Sequence, residues 1–363
     1  MFGKETPRYD LRLDKSCIFI PVRQSPGSHA SVTGSFCFSL PENIWVKVVK
    51  VRLRGTLKIT RNNDMVTEDR ELITYKEEQV LASSRTQSSF QVPAGDYEFL
   101  FDIPLPSDLY ETSIGPEHNY HTYQLGAIIE RRYRRDIVVS QALSIYRLPD
   151  MDPSHLYADS PLTIGGESEQ GIEHSTSIPS SAIPFGSIVS VECGFKVPSK
   201  DVKLSAITLE VIENHHLRLE ATATQAALNI LNINSSRTYT LFKVTRSPTQ
   251  QSELVSCTGT EWFISPTVCL PRSLALCSQS VRTKTITITH SLVVTAEFHN
   301  DNGQVVDTIV NTIPFSIYMA PGIIRPDGNV SSKIFEYNTF PPPPNFWTMR
   351  NNGRYESRMG FGW

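Results

Sequence analysis

A chain of 363 residues with 39% hydrophobic and 20% charged residues can bury two cores of ordinary domain size. Its formal net charge of −3 excludes a strong drive toward nucleic acid and leaves room only for local basic surfaces. Twenty-four prolines against nineteen glycines, with few helical patterns, favour a sandwich or barrel over a helical body.

The amino terminus, MFGKETPRYDLRLDK, holds no apolar run, and no stretch approaches the ~20 apolar residues of a membrane span. Met1-Phe2-Gly3 also fails the myristoylation pattern, which places glycine directly after the initiator. The six cysteines (Cys17, Cys37, Cys193, Cys257, Cys269, Cys277) include no CxxC pair and read as reduced thiols of a core. A cytoplasmic protein is the expectation.

Tyr9 to Ile20 reads as a first strand, followed by a loop from Pro21 to Ser31 and a second strand from Val32 to Leu40. The clearest stretch is Trp45 to Ile59. From Val49 onward, Val49, Val51, Leu53, Gly55, Leu57 and Ile59 share one parity, and Lys50, Arg52, Arg54, Thr56 and Lys58 share the other. Side chains on a strand alternate between faces, so this segment has one apolar and one basic face. An antiparallel sheet packed on one side and wet on the other fits that pattern.

Arg61 to Arg70 is charged and reads as an exposed loop, and Leu72 to Leu81 as the returning strand. After the Pro93-Ala94-Gly95 turn, Tyr97, Phe99, Phe101 and Ile103 share a face, and Pro104 and Pro106 end that strand. Thr122 to Glu130 and Ile137 to Leu148 complete a first domain over residues 1–150. Residues 151–170 show neither period and read as a linker.

The β pattern restarts in a second domain over 171–325. Strands are expected at Ile188 to Val197, Leu204 to Ile212, Tyr239 to Val244, and Ile286 to Phe298. The turn Asp301-Asn302-Gly303 then returns the chain along Val305 to Ile317. Residues 326–363 form a tail with FPPPPNFW inside it, expected to be irregular and largely disordered. The fold expected is all-β, with two sandwiches and a short tail.

Five stretches, in this order, resemble the arrestin clan and within it the fungal α-arrestins. LPENIWVKVVKVRLRGTLKIT is similar to an early strand of the arrestin N-domain. VPAGDYEFLFDIPLPSDLYETSIG, followed by YHTYQLGAIIERRYRRDIVV, resembles the rest of that domain's signature. SIPSSAIPFGSIVSVECGF, followed by LEVIENHHLRL, resembles the opening of the C-domain. The resemblance covers roughly residues 8 to 325 and implies two immunoglobulin-like β-sandwiches joined by a hinge. It also implies an adaptor that binds transporter or receptor tails and recruits a HECT-type ubiquitin ligase through PPxY motifs read by WW domains.

The tail departs from that motif. It offers Pro343-Pro344-Asn345-Phe346, a PPxF in which Pro343, Pro344 and Phe346 are the WW-type residues. Polyproline conformation preforms such a segment. Phenylalanine keeps the ring but lacks a hydroxyl whose hydrogen bond is worth ~1 kcal/mol.

Two basic groups are candidates for phosphorylated cargo or an anionic lipid surface. One is the stripe Lys47, Lys50, Arg52, Arg54 and Lys58; the other is Arg131, Arg132, Arg134 and Arg135 around Tyr133. A plain solvated sheet face and strand end are the competing readings. Glu117, His118 and His121, and likewise Glu213, His215 and His216, read as surface groups, so no metal is expected. No GxSxG, HExxH, P-loop or GxGxxG pattern marks a catalytic site or cofactor. The alternative function is an enzyme or small-molecule-binding protein on a repurposed arrestin scaffold, since the tail lacks PPxY.

Overall fold

A computed structural model describes residues 6–21, 30–63, 66–114, 120–149, 161–221, 223, 227, 232–247, 255–257, 259–323 and 336–337. The first half contains β1 (Arg8–Leu13), β2 (Cys17–Pro21), β3 (Ser31–Leu40), β4 (Ile44–Asn63) and β5 (Val66–Ser83). It continues with β6 (Phe90–Val92), β7 (Gly95–Pro104), β8 (Tyr120–Arg131) and β9 (Ile137–Leu148). One sheet runs β1-β3-β7 and the other β2-β9-β8-β4-β5, with β6 also on β4. Their inner faces meet in a core that includes Phe36, Phe101, Val49, Val51, Leu53 and Leu125.

β4 behaves as its alternation requires. Val49, Val51, Leu53, Leu57 and Ile59 are all buried, and Lys50, Arg52, Arg54 and Lys58 lie half-buried on the opposite face. A register shift between Val46 and Val48 resets the parity, which is why Val46 also points inward and the alternation begins only at Val49.

The second half contains β10 (Leu162–Glu167), β11 (Glu173–Ile178), β12 (Ala182–Pro184), β13 (Ile188–Ser190), β14 (Glu192–Lys196), β15 (Lys203–Glu220) and β16 (Asn232–Arg246). It continues with β17 (Val255–Cys257), β18 (Glu261–Ile264), β19 (Thr267–Cys269), β20 (Val281–Arg282), β21 (Ile286–His299), β22 (Val305–Tyr318) and β23 (Glu336–Tyr337). The sheet β10-β11-β14-β18-β17 faces β12-β22-β21-β15-β16 across a second core, in which Phe195 meets Phe298 edge-on at 5.4 Å. A small sheet β19-β13-β23 lies beside them. Each half is thus an immunoglobulin-like β-sandwich. The Asp301-Asn302-Gly303 turn is present, and Gly303 supplies its positive φ of 76°.

Several expectations are corrected. The first strand is two strands, because the chain leaves one sheet after Leu13 and enters the other at Cys17. Residues 61–63 and 66–70, expected as loop, extend the β4–β5 ladder to Asn63↔Val66; backbone pairing needs no apolar face. Residues 162–167 of the expected linker form edge strand β10 on β11. Ile188 to Val197 divides into β13 and β14, which belong to different sheets. In the tail, Glu336–Tyr337 pairs in parallel with Ile188–Val189. Cys269 is exposed, whereas Cys193 and Cys277 are buried, and all three thiols are free.

The two sandwiches meet along an apolar seam. Leu57 and Ile59 of β4 pack with Leu217 and Leu219 of β15, Val281 of β20, and Ile286 and Ile288 of β21. Tyr146 of β9 joins the second core, with Cys17 and Phe19 of β2 packed against it.

Leu53 is fully buried at the centre of the first core. Leu53→Ala is expected to cost about 2–5 kcal/mol, seen as a lower denaturant midpoint of unfolding.

Candidate functional site

The basic face of β4 sits in a frame of acidic residues. Lys50 Nζ lies 2.9 Å from Glu78 and 2.7 Å from Glu130, Arg52 Nε lies 2.6 Å from Glu78, and Arg54 Nη2 lies 2.9 Å from Glu71. Register explains this: β5 places Glu78 opposite Arg52, and β8 places Glu130 opposite Val48, one residue from the lysine's neighbour. Hydrogen bonds from Lys50 above all, then Arg52 and Lys76, hold the Glu78 carboxyl down at about 2. A phosphate arriving at Lys50, Arg52 or Arg54 therefore competes with carboxylates already in place. Lys47 is exposed, and Lys58 lies half-buried near the far end of the face.

The arginine cluster caps the β8–β9 hairpin. Arg131 uses its guanidinium on the Arg135 carbonyl, with Nε at 2.7 Å, and its amide donates to Asp136 Oδ1 at 3.2 Å. Arg131 thereby shapes the loop. Arg132 lies over the exposed Tyr133 ring at 5.0 Å and reaches Ser89 Oγ at 3.3 Å. Arg134 and Arg135 are exposed.

The histidines divide differently from the expectation. Glu117 and His118, like Pro343, Pro344 and Phe346, lie outside the described residues. His121 is a core residue. Its Nε2 is 2.6 Å from Thr74 Oγ1, its Nδ1 is 3.1 Å from the Glu111 carbonyl, and burial lowers it to about 4.

Glu213 and His215 are likewise buried, and only His216 is exposed. Their parity gives the reason, because Leu209, Val211, Glu213, His215, Leu217 and Leu219 all occupy the inward face of β15. That shared parity was the available sequence signal. Glu213 Oε1 is 2.6 Å from His215 Nε2 and Oε2 is 3.0 Å from His290 Nε2, while the Ser278 amide donates to Oε2 at 2.7 Å. Burial alone would raise this carboxyl; the hydrogen bonds from both imidazoles and the amide outweigh it and hold it below the usual range. Cys277 lies beside them and completes a set of groups able to hold a metal ion.

The segment after Cys277 also fastens the two domains. Ser278 Oγ donates to the Ile114 carbonyl at 3.2 Å, and Gln279 Nε2 donates to Glu111 Oε2 at 2.7 Å. The Arg147 amide donates to the same oxygen at 3.1 Å, and Arg70 Nη1 reaches the Glu220 carbonyl at 3.2 Å. The three contacts between domains join residues at least 150 positions apart, beyond the reach of any local motif, while Arg147 braces Glu111 from within the first domain.

Comparison with known proteins settles the family. Residues 25–152 match the N-terminal domain of arrestin (or S-antigen), and residues 168–322 match its C-terminal domain. The chain belongs to the arrestin family. Among its relatives are two fungal proteins. The probable HECT-type ubiquitin ligase-interacting protein creD of Aspergillus terreus is 26% identical over 88% of this chain and 56% of that protein. The HECT-type ubiquitin ligase-interacting protein creD of Emericella nidulans is 25% identical over 88% of this chain and 54% of that protein. The chain spans about half the length of the curated relatives it matches.

In this arrestin body, the Glu111 carboxyl takes part in the domain contact through Gln279. Burial raises its carboxyl to about 7, against a smaller pull downward from Arg147 and Gln279. A carboxyl raised above its ordinary 4.5 makes its full stabilising contribution below that value, and the contribution is lost as pH rises through about 7. Wild type is thus expected to lose up to about 3 kcal/mol of stability between these limits through this group. Glu111→Gln should flatten that dependence in denaturant melts run from pH 4.5 to 8.

Proposed function

We propose that the chain is the body of an arrestin-type adaptor that binds membrane-protein tails and links them to ubiquitin-dependent endocytosis or sorting. The observation that carries this reading is the pair of arrestin domains, in order, in a chain whose relatives are named for interaction with a HECT-type ubiquitin ligase. Work in the cytoplasm, with recruitment to plasma or endosomal membrane, follows from such cargo. Among the described residues no helix is long and apolar enough to cross a membrane.

Two contacts are assigned within this reading. Cargo phosphate or an anionic lipid headgroup meets Arg132, Arg134 and Arg135 first, because these side chains are exposed at a hairpin end. The stripe of Lys47, Lys50, Arg52, Arg54 and Lys58 serves as a second anion surface once Glu71, Glu78 and Glu130 are displaced. The ligase contact falls to Pro343, Pro344 and Phe346, a polyproline segment with a ring at the position where the usual motif has tyrosine.

The full chain should bind the WW domains of a HECT-type ligase weakly. Phe346→Tyr is expected to tighten that binding about fivefold, the equivalent of ~1 kcal/mol, and Phe346→Ala to abolish it. Titration calorimetry that detects no binding with either wild type or the tyrosine variant would remove the ligase arm of the proposal. The paired change Arg132→Ala and Arg134→Ala should weaken a phosphorylated tail peptide at least fivefold, with a shallower salt dependence.

A further inference from the structure

We propose that Glu213, His290 and Cys277 form a buried site for a divalent transition metal of the zinc class, directly beneath the segment that fastens the two domains. Their donor atoms all lie within 4.8 Å of one another, and each residue is at most 2% exposed. Three separate pieces of backbone supply them. Glu213 on β15 stands opposite His290 on β21 in the ladder, and Cys277 comes from the stretch leading into β20. The Ser278 amide donates to Glu213 Oε2, and the Cys277 amide donates to the Ser273 carbonyl at 3.1 Å, so the position of the thiol is fixed by its own loop.

The surroundings are those a metal-ligating histidine uses. Ser280 Oγ is 2.8 Å from His290 Nδ1 and is itself held by the Ile317 amide at 2.8 Å. In the metal-free site Nε2–H donates to Glu213 Oε2; moving the ring proton to Nδ1, where Ser280 Oγ accepts it, frees the Nε2 lone pair for a metal. His215 Nε2 holds the other carboxylate oxygen at 2.6 Å and orients it. Three protein donors leave the fourth position of a tetrahedral ion to water.

Charge and softness select the ion. Glu213 is fully buried, and the partners described for it are two imidazoles, an amide and the neighbouring thiol. A carboxylate and a thiolate together carry two negative charges, which a divalent cation neutralises inside a low-dielectric wall. Mixed sulfur, nitrogen and oxygen donors suit Zn²⁺ or Co²⁺ and disfavour Mg²⁺ and Ca²⁺. Metal–donor bonds of about 2.0–2.3 Å put tetrahedral donors roughly 3.3–3.8 Å apart. The carboxylate–His290 contact at 3.0 Å thus opens by less than about 1 Å. On binding, the Cys277 S–H bond breaks, its proton leaves to solvent, and the sulfur electron pair forms the metal bond; the single His290 ring proton shifts from Nε2 to Nδ1, so the Nε2 lone pair binds the ion.

The test uses the purified full chain after dialysis against chelator. Titration with Co²⁺ is expected to give one equivalent bound, a near-ultraviolet thiolate-to-cobalt absorption band, and loss of that band on adding Zn²⁺. Cys277→Ser should abolish the band while the metal-free variant melts close to wild type, and Ser280→Ala should weaken binding about tenfold. Zn²⁺ should raise the melting temperature of wild type and leave that of Cys277→Ser unchanged. Failure to take up stoichiometric metal would overturn the site and leave Glu213 a carboxylate held by shared protons. An identical cobalt spectrum in wild type and Cys277→Ser would also overturn it, because the ion would then sit elsewhere.

Discussion

The apolar face of β4 is longer than the sandwich that contains it, and this mismatch holds the molecule together. Val49, Val51 and Leu53 are covered by the three-stranded sheet of their own domain, but Leu57 and Ile59 continue the same stripe past its edge. β15 has the same property in the other half, where Leu217 and Leu219 extend beyond Leu209 and Val211. Each overhanging face covers the other. Burying a large aliphatic side chain is worth about 1.5–3 kcal/mol, so the seam contributes far more than any single polar contact across it. Domain separation would expose all seven residues of that cluster, which makes the orientation of the two sandwiches a consequence of strand length.

Polar contacts then refine what the seam sets. Gln279 and Ser278 reach from one domain to Glu111 and the Ile114 carbonyl of the other, and the Ser278 amide simultaneously holds Glu213. A short segment thus reads the protonation of Glu111 on one side and the Glu213 cluster on the other. Such contacts contribute modestly when made and cost more when one partner is left unsatisfied in a buried place. Their effect is on which arrangement of the domains is preferred, while the apolar seam decides that they associate.

Much of the fold was legible because strand alternation is a local signal. The runs through Val49 to Ile59, Tyr97 to Ile103 and Ile286 to Phe298 identify their inward faces without any knowledge of partners. Where reading failed, the missing information was non-local. Asp14-Lys15-Ser16 and a flip of inward parity from Leu11 to Ile18 and Ile20 mark a break between Tyr9 and Ile20, but which sheet each strand joins is set by distant partners, β3 and β9. The charged residues 61–63 and 66–70 pair through their backbone, which composition does not report. Glu213 and His215 were misjudged for a different reason. Residue type outweighed position, although both stand on the parity of Leu209, Val211 and Leu217. For the candidate site, the arginine hairpin was visible as a cluster, but the carboxylates that occupy Lys50, Arg52 and Arg54 come from β5 and β8 and are set by register.

On the proposed reading, the tail connects this architecture to partner recruitment. Glu336–Tyr337 adds a parallel rung to β13, so the chain is tied to the second domain just before its proline-rich segment. Phe346 follows Tyr337 by nine residues, and nine extended residues span at most about 30 Å. A partner that grips Phe346 is therefore held within one domain diameter of β13. Short tethers raise effective concentration, so a weak PPxF contact and a weak anionic contact at the arginine hairpin can together bind more tightly than either alone when the spans match.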